Sequence, residues 1–204
     1  RGGMDPAQLV ELEEILDQLQ RPDATPQSRQ HAQQFALSLQ NPADISDSEE
    51  QDPAARRALA ISKRLQQLQH VLDCSRSPTA QVVACNSLIA LVSNHWDNAT
   101  IPHIEIRNYA LGFLFQESST PKAPAFVNRA MMRLLSRITK LGWLECDAHR
   151  AYLTQLNRFF ESSVQHYVTG LGLMYDLVEE MDLPAESRRT LVLRRQFIVS
   201  TLHK

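Results

Sequence analysis

Five times along this chain a helix-capping residue stands directly before proline: Asp5-Pro6, Thr25-Pro26, Asp52-Pro53, Ser77-Pro78 and Thr120-Pro121. Each pair carries the chemistry of a helix start. The Asp, Ser or Thr oxygen accepts an otherwise unpaired backbone N–H, and proline at the first helical position sacrifices no hydrogen bond. Ile101-Pro102 marks a further start without the polar cap. A chain punctuated this way is a series of short helices, because proline inside an extended element would remove ladder hydrogen bonds.

Between these marks the apolar residues follow a helical period. The first segment places Leu9, Leu12, Ile15, Leu16 and Leu19 three and four apart. The second has Ala32, Phe35, Ala36 and Leu39, and the third Leu59, Leu65, Leu68, Val71 and Leu72. From Val82 to Val92 the fourth segment is apolar almost all round, as suits a helix packed on several sides. The fifth and sixth lie between Ile104 and Leu144. Segments near 148–162 and 163–181 follow, the second with Val168, Leu171, Met174, Leu177 and Val178 as its expected core face. A last helix is predicted over about 187–203. That makes roughly nine helices joined by short turns. The exception is the acidic stretch 41–52, NPADISDSEEQD, which reads as an exposed, mobile loop.

Composition removes several function classes. The 204 residues carry a formal net charge of −2, which gives no reason to expect nucleic acid or an anionic membrane as partner. No run of 18 apolar residues suggests a membrane span. The three cysteines, Cys74, Cys85 and Cys146, lack metal spacing and read as reduced thiols. Seven histidines are scattered without HExxH or i,i+4 pairing, and neither a glycine-rich phosphate loop nor a nucleophile elbow is present. The chain therefore reads as a non-enzyme with no cofactor and no metal. Arg1-Gly2-Gly3 before Met4 reads as an expression scar, leaving 4–204 as one domain.

Trp96 closes the fourth segment and Trp143 the sixth, about 47 residues apart. Helix pairs repeating at about 40–47 residues are the signature of HEAT and armadillo solenoids. The expected fold is an all-α superhelix of antiparallel pairs, with both tryptophans plugging the core.

The run from Ile104, IEIRNYALGFLFQESSTPKAPAFVNRAMMRLLSRITKLGWL, carries a family resemblance, above all in Ile106–Tyr109 and Arg137–Trp143. It resembles the amino-terminal repeats of the importin-β superfamily of nuclear transport receptors, most of all the exportin-seven branch. Weaker likeness runs through Arg29–Ala32, Val83–Ser93 and Phe160–Gly172. The resemblance implies an amino-terminal fragment of an exportin-like receptor whose concave second helices meet Ran in its GTP form. Protein cargo would be held mostly elsewhere, nucleoporins would be further partners, and the protein would shuttle between nucleus and cytoplasm through the nuclear pore. The alternative is a HEAT scaffold without a GTPase partner.

The residues expected to contact Ran follow from this register. On the sixth helix, Val127, Ala130, Met131, Leu134 and Ile138 form one apolar face, and Arg129, Arg133, Ser136 and Lys140 run beside it with Arg137. Such a cationic stripe is equally the signature of a solvated helix face, and its carboxyl-terminal members suit the helix dipole. On the fourth helix Asn86, Ala90, Ser93 and Asn94 form a polar stripe; the exportin-seven branch carries Lys and Arg where Ala90 and Asn94 stand. Arg29 and Gln33 would face the same way on the second helix. Arg107, Asn108 and Tyr109 sit on a first helix and are expected to be structural, with Arg107 bonded to a neighbouring turn. The adjacent acids Glu13-Glu14 and Glu179-Glu180 read as solvated.

Overall fold

The computed structural model describes residues 4–41, 52–183, 192 and 195–199. Among the described residues the secondary structure is helical throughout, with no strand. The elements are α1 (Pro6–Asp17), α2 (Pro26–Ser38), α3 (Pro53–Cys74), α4 (Pro78–Asn94), α5 (His103–Ser119) and α6 (Ala125–Gly142). Three single turns follow, α7 (Asp147–Arg150), α8 (Tyr152–Gln155) and α9 (Asn157–Phe160), and then α10 (Val164–Asp182). This is the all-α, helix-pair architecture of the helical-repeat class.

The capped prolines open helices as their chemistry requires. Thr25 Oγ1 accepts the Ser28 N–H at 3.1 Å, Asp52 Oδ1 the Ala54 N–H at 3.0 Å and Ser77 Oγ the Ala80 N–H at 3.2 Å. At Asp5 the backbone N–H reaches the Gln8 side chain at 3.1 Å. Thr120-Pro121 is the exception. The sixth helix begins at Ala125, and Pro124 O accepts from Val127 at 2.9 Å. A helix opening at Pro121 would put Pro124 at the position of the first backbone hydrogen bond, where it has no N–H to give.

Residues 1–102 with 123–130 belong to one compact unit, and 103–122 with 131–204 to a second. In the first, α1 pairs with α2 and α3 with α4, and α1 also packs on α4. Leu12, Leu16, Ala32, Ile61, Leu68, Val71, Ala84, Cys85, Leu88 and Leu91 are buried there. α4 buries eight of its positions, as its nearly continuous apolar run predicts. Leu59, expected on the α3 core face, is exposed, and Trp96 is half-buried rather than a core plug.

In the second unit α10 packs on α5 and α9. Its core includes Leu114, Leu134, Leu135, Ile138, Trp143, Tyr152, Leu156, Phe159, Leu173 and Leu177. Trp143 is the plug that its position predicts, fully buried and edge-on to Phe197 with ring centroids 5.2 Å apart. The predicted helix over 148–162 is instead a chain of three single turns. The Ala148 carbonyl, which an unbroken helix would offer to residue 152, accepts the Arg107 guanidinium. Within α10 the buried face is His166, Gly170, Leu173, Leu177 and Met181. Of the expected face only Leu177 is buried, while Val168, Leu171 and Val178 lie outside. The close approach at Gly170 sets this rotation, because a Cβ there would stand 2.8 Å from the Phe160 ring. The predicted loop 41–52 lies, but for its two end residues, outside the described residues, as does most of the predicted last helix over about 187–203, apart from helical 192 and 195–199.

Candidate partner surface on the second helices

The apolar face of α6 forms as the sequence requires: Val127, Ala130, Met131, Leu134 and Ile138 are all buried. Burying that face fixes the helix rotation, and the rotation places Arg129 and Arg133 outward, one turn apart and exposed. Neither is ion-paired among the described residues.

The remainder of the expected stripe behaves differently. Ser136 is buried, one position too far round the helix. Lys140, expected at the surface, is only 3% exposed. Its Nζ donates to the Glu180 carbonyl at 2.6 Å and the Leu183 carbonyl at 3.1 Å, and stands 3.5 Å from the Glu180 carboxylate. Those carbonyls close the last turn of α10, so this ammonium caps a neighbouring helix at the negative end of its dipole. Arg137, about a third exposed, donates to the same Glu180 carboxylate at 2.9 Å. Arg137 and Lys140 are thus brought together at Glu180, which compensates the burial of the lysine charge.

The remaining expected contacts lie on α2 and α4 of the first unit. On α2, Arg29 and Gln33 are exposed one turn apart. Arg29 donates to the Arg21 and Pro22 carbonyls at 3.0 and 3.1 Å, which pins its guanidinium to the α1–α2 turn. Asn86 and Asn94 are exposed on α4, with Ala90 and Ser93 half-buried between them.

Two acids expected to be merely solvated are structural. Besides Glu180, Glu13 on α1 accepts Ser75 Oγ at 2.5 Å and the Arg76 N–H at 2.9 Å, at the turn before α4. Periodicity gives no warning of either, since each partner lies 40 or more residues away in sequence. Arg107 does bond a neighbouring turn, and burial shifts its whole neighbourhood. Desolvation lowers the Arg107 guanidinium below its ordinary value, and desolvation with the nearby Arg107 and His103 pushes His149 down to about 4. Tyr152, fully buried, is raised by desolvation and then by Asp176. These shifts hold His149 and Tyr152 neutral, as a packed core requires. Among the described residues no helix is long and apolar enough to cross a membrane.

No family model matches the chain, and no solved structure matches it. Curated relatives do. Ran-binding protein 17 of Homo sapiens is 28% identical over 149 residues, 71% of this chain and 13% of that protein. Exportin-7-A of Xenopus laevis is 32% identical over 126 residues, 59% of this chain and 11% of that protein. Ran-binding protein 16 of Drosophila melanogaster is 27% identical over 161 residues, 77% of this chain and 14% of that protein. The chain therefore spans between a tenth and a seventh of the length of these relatives. The chain is thus similar, at 27–32% identity, to proteins named for Ran binding and for export, in line with the resemblance read from its sequence.

Proposed function

We propose that this chain is a Ran-GTP-binding region of an exportin-like nuclear transport receptor, one that carries protein cargo through the nuclear pore and shuttles between nucleus and cytoplasm. The observation that carries the reading is its similarity to proteins named for Ran binding and for export. The contacts proposed first are Arg129 and Arg133, which are exposed cations on a second helix. Gln33, Asn86 and Asn94 are proposed as further polar contacts, with Arg29 and Arg137 secondary because each already holds a partner. Lys140 supports this surface from beneath by fixing the end of α10 against α6. The mechanism is linkage: Ran-GTP and cargo favour the same curvature, so each strengthens binding of the other, and GTP hydrolysis releases both.

A nucleotide-dependent binding measurement tests the proposal. Ran loaded with GTP should bind more tightly than Ran loaded with GDP. Arg129→Glu with Arg133→Glu should weaken the GTP form by about 1–3 kcal/mol, less at high salt, without loss of helicity. Equal affinity of wild type and double variant would reject these two contacts. No preference between nucleotide states would favour the rival, a helical-repeat scaffold without a GTPase partner.

A further inference from the structure

Three Ser/Thr-Pro dipeptides occur in the chain, and two of them serve as helix caps. Thr25 caps α2, its Oγ1 accepting the Ser28 N–H at 3.1 Å and lying 2.7 Å from Ser28 Oγ. Ser77 caps α4, is buried, and donates to the Asp17 carboxylate at 2.5 Å. Thr120-Pro121 opens no helix. Thr120 directly follows α5 and begins an irregular stretch, 120–124, that leads into α6. Thr120, Pro121 and Lys122 are all exposed, and the Thr120 hydroxyl makes no hydrogen bond among the described residues. The two serines before it are engaged. Ser118 Oγ donates to the Leu114 carbonyl at 2.8 Å, and Ser119 Oγ lies 3.1 Å from His166 Nε2.

A protein kinase needs its acceptor hydroxyl on backbone that is free of helix, because the oxygen must reach the γ-phosphate in line with the leaving group. Proline after the acceptor suits a kinase site that offers no acceptor to the following backbone N–H, since proline has none to leave unpaired. Thr120 meets both conditions. Thr25 would first have to release its cap, and Ser77 would have to leave the interior as well.

We propose that Thr120 is a phosphorylation site for a proline-directed protein kinase, with ATP as the phosphoryl donor. Thr120 Oγ1 bonds to the γ-phosphorus, the bond from that phosphorus to the β–γ bridging oxygen breaks, and ADP leaves. The hydroxyl proton passes to the carboxylate base of the kinase. The product carries about −1.5 to −2 charges at pH 7. They stand at the carboxyl end of α5, where the helix dipole is already negative. Two hydrogen bonds hold that end. The Thr120 N–H donates to the Gln116 carbonyl at 3.0 Å, and the Lys122 N–H to the Glu117 carboxylate at 2.8 Å. Repulsion between the phosphate and Glu117 therefore loosens the turn.

The folded 204-residue chain, incubated with a cyclin-dependent kinase and ATP and mapped by tandem mass spectrometry, reads the site directly. Each rate is taken relative to a short synthetic peptide spanning the same dipeptide, which removes the preference of the kinase for flanking sequence. On that scale Thr120 should be modified about tenfold faster than Thr25, the advantage that an ordinary helix cap gives against opening. Ser77 should stay unmodified. Pro121→Ala lies outside any helix, so it should keep the circular dichroism spectrum and lose the phosphate. In the phosphorylated chain the Lys122 amide should exchange its hydrogen several-fold faster. A folded chain without phosphate on Thr120, equal relative rates at Thr25 and Thr120, or a Pro121→Ala variant phosphorylated as fast as wild type would overturn the site. Unchanged exchange at Lys122 would overturn the loosening of the turn.

Discussion

Glu13 is the side chain whose removal tests the packing of the first unit most sharply. It lies on α1, half-buried, and one carboxylate oxygen accepts Ser75 Oγ at 2.5 Å, the Arg76 N–H at 2.9 Å and, more weakly, the Ser77 N–H at 3.4 Å. One turn further along α1, Asp17 accepts Ser77 Oγ at 2.5 Å, and Ser77 itself caps α4. Two carboxylates from the first helix pair therefore grip the amino-terminal end of α4, where negative charge is favoured. In Glu13→Ala two short charge-assisted hydrogen bonds disappear, each contributing about 1.5–3 kcal/mol. Part is recovered: the exposed Arg76 N–H turns to water, and Ser75 Oγ keeps the Ser77 carbonyl at 3.5 Å. The expected net loss is about 2–4 kcal/mol, which for a chain of this size lowers the melting temperature by roughly 4–16 °C. Glu13→Gln keeps an acceptor oxygen without the charge and should cost about half as much. Glu14→Ala, exposed on the same helix, should stay within about 0.5 kcal/mol. Urea unfolding followed by circular dichroism gives the free energies. Hydrogen exchange localises them, with faster exchange expected in the first turn of α4. If Glu13→Ala and Glu14→Ala were equally stable, the carboxylate grip would contribute nothing and the reasoning would fail.

Lys140→Met should destabilise the second unit by about 2–4 kcal/mol, because the Glu180 and Leu183 carbonyls lose their donor and Glu180 loses a neighbouring charge. Hydrogen exchange should quicken at the carboxyl end of α10, and unchanged protection there would refute the capping role. Stability should also depend on pH through His149, whose value of about 4 in the folded chain lies below the ordinary 6.5. Between those values the unfolded chain binds the extra proton, so stability is full above pH 6.5 and is lost as pH falls towards 4, by about 3 kcal/mol in total. Denaturation series at pH 7 and pH 4 should differ by about that much less in His149→Phe than in wild type; an equal pH response would place the effect elsewhere.

How much of this was legible in sequence depended on whether the decisive partner was local. The α6 core face was readable because strong apolar and strong charged residues alternate along it at helical spacing. α4 was readable because between Val82 and Val92 only Asn86 and Ser87 interrupt its apolar run. α10 was misread because hydropathy ranks Val168 and Leu171 above His166 and Gly170. Gly170 instead lets the helix close on Phe160, and the buried His166 hydrogen-bonds to Ser163 and Ser119 on either side. No local pattern encodes that choice. The start of α6 was legible in retrospect from Pro124, which forbids an earlier start. Of the proposed contact residues, periodicity correctly exposed Arg129 and Arg133, but it could not foresee Glu180 reaching back to Arg137 and Lys140 from α10.

A single physical need explains where most of these misjudged charges go. Short helices stacked in pairs present many ends, each with carbonyls or N–H groups that no backbone partner satisfies. Here cations close carboxyl ends: Arg64 reaches the Ser38 and Asn41 carbonyls after α2, Arg150 the Trp143 carbonyl after α6, and Lys140 the Glu180 and Leu183 carbonyls ending α10. Carboxylates close amino ends, as Glu13 and Asp17 do before α4. Sequence alone cannot separate a cation committed to a distant helix end from one available to a partner, because both sit on the polar side of an amphipathic helix. The structure separates them by what each nitrogen touches. Arg129 and Arg133 cap no helix and pair with no carboxylate among the described residues. Reversing their charge therefore perturbs a partner without first unbalancing the fold. Reversal at Lys140 would confound the two, since loss of binding there would follow equally from loosening α10.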